Sequence, residues 1–207
     1  MTTIKTHRKR GRPSTFERGR AIDIALALFW QKGYDGVGVA ELGEAIGINP
    51  PSLYKAFSSK HGLFKEAVQR YTAEDKGGFL TETLAGADNL KEALTRLLVQ
   101  SAKSYTDESH PWGCLVLSGT CNSTDRDAVH ATDEHRSSTR DYLSTIFQEY
   151  GAEDAQCLAE YVLIAMTGLS CAARQGVDRL TLVKTAERFA AIEVLSLSKS
   201  NFQDTVR

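Results

Sequence analysis

Between Val37 and Lys60 the chain spaces small and apolar residues so closely around two glycines that few local folds remain open to it. Val39, Leu42, Gly43 and Ile46 fall at i, i+3, i+4 and i+7, which predicts a two-turn helix with one apolar or small face. Gly43 would let a neighbouring helix approach closely, and Gly47 is able to take the left-handed conformation that ends a helix. Asn49 then stands where a second helix needs a cap, with Pro50 and Pro51 in its first turn, where a missing N–H costs little. Leu53 and Phe57, four apart, turn toward the core beside the small Ala56. That leaves Asn49, Ser52 and Lys55 pointing outward near the start of the second helix, with Tyr54 at its flank. Two short helices about a glycine turn, the second offering short polar side chains at its N-terminal end, form a pattern suited to reading the DNA major groove. An ordinary helical hairpin gives the same pattern when taken alone.

The flanking sequence narrows the choice. Ala21, Ile24, Ala25, Leu28 and Phe29 keep helical spacing up to Gly33, and Leu63, Phe64, Ala67, Val68 and Tyr71 form another stripe after Lys60. Three helices around a small core, with a fourth leading away, make a module ending near residue 73. Over these residues the chain resembles the TetR family of transcriptional regulators. The matching segments are Ala25-Leu26-Ala27-Leu28-Phe29 with Gly33-Tyr34, Leu42-Gly43-Glu44-Ala45-Ile46-Gly47-Ile48, and Ser52-Leu53-Tyr54-Lys55-Ala56-Phe57, followed by Lys60 and Leu63-Phe64. Val37 departs from the threonine common in the family, which caps the second helix and touches phosphate; His61 departs from an acidic residue. The resemblance implies phosphate contacts from Tyr54 and from Lys60 at the start of the fourth helix. Helix N-termini favour anions on their own account. Asn49, Ser52 and Lys55 are the candidates for base-edge or nearby phosphate contact.

Charge is divided unevenly. Residues 1–60 carry ten basic and five acidic side chains, whereas the remainder carries 15 and 21, within a chain of formal charge −1. A basic reader joined to an acidic body suits a DNA-binding protein. Arg10-Gly11-Arg12-Pro13 resembles the core of an AT-hook, in which Arg10 and Arg12 would lie in a narrow A·T minor groove. The other reading of this basic arm is non-specific charge in solvent. The expected fold is all-α: a basic arm at 1–15, a helix-turn-helix domain at 16–73, and a helical ligand-binding and dimerisation body at 74–207. The sequence offers no run of about 18 apolar residues and no apolar stretch behind its basic N-terminus, so a cytoplasmic protein without a membrane span is expected. Four irregularly spaced cysteines fit reduced thiols.

In the body, Ala85-Gly86-Ala87-Asp88 and Gly77-Gly78 interrupt the pattern, and Asn89 with Glu92 has capping-box spacing. Helices are expected from Leu90 to before His110-Pro111 and from after Gly113, and a long amphipathic stretch then runs to Tyr150. The last two, at 154–174 and 180–197, carry wide apolar faces in which Gly168, Ser170, Ala190 and Ala191 permit close approach. They are expected to form a four-helix homodimer interface, the alternative being an internal bundle. The dimer would place two readers on half-sites about 34–36 Å apart, or a longer helical multiple, on a pseudo-palindromic operator of double-stranded DNA.

The resemblance also implies a small-molecule effector in the body. Tyr105, Trp112, Leu115, Phe147 and Met166 are candidates to line its pocket, with core packing as the alternative for each. Cys114 lies beside an expected helix start, where N–H groups would favour thiolate, with Cys121 two turns along if that helix is unbroken. The Gly-Cys-Leu segment resembles a TetR subgroup that includes electrophile and redox sensors; a buried, inert thiol is the other possibility. Cys157 and Cys171 read as core. His130 and His135, about 140° apart on a helix, converge poorly for a metal. With no nucleophile elbow, phosphate loop or dinucleotide fingerprint, neither an enzyme nor a cofactor is expected. The reading is thus a repressor released by a ligand. A Cys114 thiol sensor, a ligand-independent activator or architectural DNA binder, and a ligand-binding protein with a non-functional reader remain as alternatives.

Overall fold

The computed structural model describes residues 17–75 and 78–203, with side chains described at 17–73 and 79–191. Ala21, Ala25, Leu26 and Phe29 bury one face of α1 (Arg18–Lys32), which ends at Gly33 with φ 74°. Leu42 and Gly43 are the buried residues of α2 (Val39–Ile46). Gly47 closes that helix in the left-handed region, and the N–H groups of Gly47 and Ile48 both donate to Gly43 O at 2.9 Å. A Cβ on Gly43 would come 2.7 Å from Ile48 O. The close approach that this glycine permits is therefore made by its own turn rather than by a distant helix.

The next helix, α3 (Pro50–Phe57), is capped by the Asn49 side chain, which accepts from Ser52 N–H at 2.9 Å. Leu53 and Phe57 face inward, and α4 (Lys60–Asp75) adds Leu63, Phe64, Ala67 and Val68. The rings of Phe29 and Phe64 meet edge to face at 5.0 Å, and those of Tyr34 and Phe64 at 4.9 Å. This N-terminal core also takes in Leu115, Val116, Ala128 and Ala131 from the body, so reader and body share a packed boundary.

The body comprises α5 (Gly78–Leu84), α6 (Leu90–Ser104), α7 (Leu115–Ser118), α8 (Arg126–Glu149), α9 (Ala155–Arg174) and α10 (Arg179–Gln203). The expected capping spacing before α6 is realised: Asn89 accepts from Glu92 N–H at 3.0 Å, and Glu92 accepts from Asp88 N–H at 2.9 Å. Leu94, Leu97 and Leu98 of α6 pack with Leu143 and Phe147 of α8, Val162 and Leu169 of α9, and Ala186 of α10. Each fully buried side chain of this size contributes on the order of 1.5–3 kcal/mol. Every described regular element is helical.

One expectation about helices needs correction. The helix that starts after Gly113 does not carry Cys114 and Cys121 together: α7 is only four residues long, a turn follows, and α8 starts at Arg126. Behind Gly119 comes Thr-Cys-Asn-Ser-Thr-Asp, whose side chains compete for backbone hydrogen bonds. Asp125 ends the turn by accepting from Asp127 and Ala128 N–H. The 20-residue α9 contains an 18-residue window of mean hydropathy 1.3, long and apolar enough by composition to cross a membrane, though Gln156 and Glu160 interrupt it. Here Leu158, Val162, Met166 and Leu169 are buried against other helices, as in the core of a globular body.

Candidate nucleic-acid interface and the joint behind it

Ser52, Tyr54 and Lys55 are exposed on α3, and Tyr54 keeps 48% of its surface accessible despite its ring. Asn49 has its side-chain oxygen engaged in capping, whereas its amide N–H groups take no part in the cap. Ser52 and Lys55 also border a groove of about 740 Å³ with Arg18, Arg20, Ile24 and Ile46. Arg20, exposed at its edge, adds a cation beside α3. Arg18 has a different task. Its guanidinium bonds the Glu66 carboxylate and Ala56 O and lies 4.5 Å from the centre of the Phe57 ring, tying α1 to α3 and α4.

Lys60 begins α4 as expected, with its ammonium 4.0 Å from the centre of the Tyr34 ring. Burial lowers its pKa, while Asp35 and Asp125 act in the opposite direction. Val37 is fully buried in the N-terminal core, and Gly38 occupies the cap of α2 without a side-chain bond. Arg10 and Arg12 lie outside the described residues.

Behind the reader lies a cavity of about 570 Å³. Of the candidates for its lining, Tyr105 and Met166 stand in its wall, where Cys114 joins them, but Trp112, Leu115 and Phe147 do not. Leu115 points into the N-terminal core, Phe147 is fully buried in the body core, and Trp112 packs against that body core. The walls that sequence reasoning missed are mainly Trp30, Tyr71, His110 and Tyr142. Trp30 stacks on His110 at 4.6 Å and meets Tyr71 edge to face at 4.8 Å. These residues come from separate segments, and only the aromatic at the end of the α1 pattern could have hinted at them.

Cys114 reverses an expectation. The four residues of α7 give it little helix terminus, and burial pushes its thiol pKa up, against the opposing effects of the Tyr71 hydroxyl, neighbouring N–H groups and Arg174. Tyr71 O–H donates to Cys114 Sγ at 3.4 Å. Cys121 shares no helix face with it, lying in the turn after α7. Cys157 is exposed and Cys171 half-buried, so neither is the core thiol expected.

A dense joint connects cavity and reader. Trp30 Nε1 donates to Gly113 O at 2.9 Å; Arg174, at the end of α9, donates to Trp30 O and, at 2.6 Å, to Ser118 Oγ. Tyr34 N–H donates to Gly119 O at 2.8 Å, and its hydroxyl donates to Asp125 at 2.7 Å. Burial foremost, then the Asp125 carboxylate, raises the Tyr34 pKa; that same hydroxyl, with backbone N–H groups, lowers the pKa of Asp125. Gly113 has φ 84°, and a Cβ there would meet Arg174 Cγ at 2.8 Å and Ser170 O at 2.9 Å.

On the expected dimer helices, Ile164 and Leu180 are 61% and 63% exposed, and Gly168 and Ala191 are exposed as well. Ser170 and Ala190 are buried within the chain instead; the Ser170 hydroxyl accepts from Cys114 N–H at 2.7 Å. His130 pairs with Glu134 at 3.7 Å on the surface, and His135 reaches the cavity wall. Among the described residues no three potential metal ligands converge.

A short capped helix with an exposed polar end, set on a three-helix core and braced by a helical body, defines a helix-turn-helix DNA-binding regulator. Residues 21–67 match the model for bacterial regulatory proteins of the tetR family. The HTH-type transcriptional repressor BdcR of Escherichia coli (strain K12) is 35% identical over 192 residues, covering 90% of this chain and 93% of the relative. ComR, an HTH-type transcriptional repressor of the same organism, is 30% identical over 188 residues, covering 86% and 90%. Among solved structures, a cysteine variant of the TetR family transcriptional regulator CifR, complexed with 26-bp double-strand operator DNA, aligns with a TM-score of 0.75 and 33% identity over 87% of this chain and 98% of that one. The chain belongs to the TetR family of transcriptional regulators.

Proposed function

We propose that the protein is a homodimeric, cytoplasmic, non-enzymatic repressor that binds a pseudo-palindromic operator and leaves it when a small molecule enters the body cavity. The observation that carries this reading is Trp30, which belongs to α1 of the reader and also forms a wall of the cavity. A ligand there has contacts that change with the position of α1, and only such differential contact shifts an equilibrium between binding and released forms. In this reading residues 16–73 are the reader, 74–207 the ligand-binding and dimerisation body, and 1–15 a basic arm. Asn49, Ser52 and Lys55 face base edges or nearby phosphates, and Tyr54 and Lys60 hold phosphates. The exposed Ile164, Leu180 and Gly168 support a dimer through α9 and α10. The repressor names of two full-length relatives support the sign of control.

One observation favours a second reading. Cys114 lines the same cavity, near Tyr71 and Arg174, so a thiol-reactive electrophile that fits the cavity would reach it there. Fluorescence anisotropy with DNA upstream of the protein's own gene separates the two, using wild type and Cys114→Ser with and without a mild thiol electrophile. Release in wild type alone assigns sensing to Cys114. Binding unchanged in both returns the search to reversible ligands, and absence of any salt-resistant specific binding overturns the regulator reading.

A further inference from the structure

Cys121 and Cys171 stand fifty positions apart in sequence, yet their sulfur atoms lie 3.9 Å apart. The Cys171 thiol is directed at the Cys121 sulfur, and the Cys121 thiol at Leu117 O, 3.2 Å away. Cys121 is exposed in the turn between α7 and α8, whereas Cys171 is half-buried on α9. A disulfide holds its sulfurs about 2.05 Å apart, so the pair must close by roughly 2 Å. Closing that gap calls for side-chain rotation together with movement of the turn that carries Cys121. Burial and the neighbouring Cys121 raise the Cys171 pKa, while Arg174 and Arg136 act the other way by favouring its thiolate.

We propose that Cys121 and Cys171 form a dithiol site that a low-molecular-weight disulfide closes into an intramolecular bond, and that closure weakens DNA binding. The second half of this statement rests on the regulator reading above. Exposed Cys121, as thiolate, attacks one sulfur of the incoming disulfide; the reagent S–S bond breaks, a mixed disulfide forms on Cys121, and one reagent thiolate leaves. Cys171 releases its proton to solvent and attacks Cys121 Sγ, expelling the second reagent thiolate. The two protein thiols lose two electrons, the reagent disulfide gains them, and the two protons end on the two reagent thiols. In a reducing compartment a bond of this kind is transient and suited to sensing.

The site is placed to affect the reader from both ends. The turn that carries Cys121 supplies Gly119 O to Tyr34 N–H and the Asp125 carboxylate to the Tyr34 hydroxyl. On the other side, Arg174 follows Cys171 near the end of α9 and donates to Trp30 O. Drawing the turn toward α9 therefore strains the anchors of Tyr34 while tightening the segment that holds Trp30.

The test treats the full chain with glutathione disulfide, alkylates it without reduction, and maps thiols by mass spectrometry. Wild type is expected to lose two hydrogens, remain unlinked between chains on a non-reducing gel, and yield a peptide joined through Cys121 and Cys171. Cys114→Ser should close in the same way; Cys121→Ser and Cys171→Ser should not. No closure, closure between chains, or closure that persists in either of those two variants overturns the site. Closed wild type should bind operator at least tenfold more weakly than reduced protein, with dithiothreitol restoring affinity. Equal affinities overturn its control of the reader. If reduced protein binds no DNA at all, the regulator reading fails instead, and the thiol map still decides the site.

Discussion

Asn49 performs two tasks with one side chain, and they separate by experiment. Its oxygen caps α3 through Ser52 N–H, so Asn49→Ala should cost about 1 kcal/mol in thermal or urea unfolding. Asn49→Asp keeps the cap but places a negative charge at the groove, so stability should hold while operator affinity falls. Tyr54→Phe and Lys60→Ala should weaken binding across all sequences, and the lysine change should reduce the salt slope by about 1. Ser52 or Lys55 substitutions should instead alter sequence preference. Unchanged anisotropy titrations in all four would remove α3 and the start of α4 from the interface. The other residue with a measurable signature is Asp125, whose pKa is depressed by the Tyr34 hydroxyl and by backbone N–H groups. A depressed carboxylate contributes stability that is complete above its unfolded pKa of about 3.9 and is lost as pH falls through the lower folded value. The Tm difference between wild type and Asp125→Asn should accordingly be widest near neutrality and shrink below about pH 4.

Among the elements, the turn between α2 and α3 is the one that the sequence specified most fully. Gly47 adopts the left-handed cap, Asn49 caps the next helix, and Leu53 with Phe57 faces inward, all as the spacing required. Gly43→Ala should shift that turn, because the added Cβ meets a backbone oxygen rather than a flexible side chain. The expected outcome is a loss of operator affinity in anisotropy titrations that exceeds the loss of helix content by circular dichroism. The turn between α7 and α8 was not legible in the same way. Its residues, Thr120 to Thr124, have no glycine-proline punctuation, and Leu115 to Leu117 continue the apolar pattern up to Gly119. The break depends on tertiary partners: Asp125 bonds Tyr34, and Thr120 bonds Thr132. The environment of Cys114 was misread for the same reason, since a helix terminus expected to lower its pKa shrank to a single turn inside a buried wall.

For the molecule as a whole, local periodicity was enough to place the long helices and most of their buried faces, though not α5 or the break between α7 and α8, because each stripe needed only its own residues. The cavity was not recoverable in this way. Trp30, Tyr71, His110 and Met166 meet only after α1, α4, the segment before α7 and α9 have packed, and no spacing within one segment encodes that meeting. The proposed dimer lies between these cases. Exposed Ile164 and Leu180 are what an apolar face lacking a partner within the chain leaves behind, whereas Ser170 and Ala190 turned out to serve internal packing. Ile164→Glu should move the protein toward monomer in light scattering at micromolar concentration, with a steep loss of operator affinity as the two readers uncouple. A monomeric wild type would sink the dimer outright.

The chain contains two tryptophans, and one of them, Trp30, sits in the cavity wall against His110 and Tyr71 with its indole N–H bonded to Gly113 O. The protein thus carries an intrinsic fluorophore at its joint. In a Trp112→Phe background all indole emission would come from that one position, and its intensity and wavelength would register whatever fills the cavity or pulls α1 away, without any label.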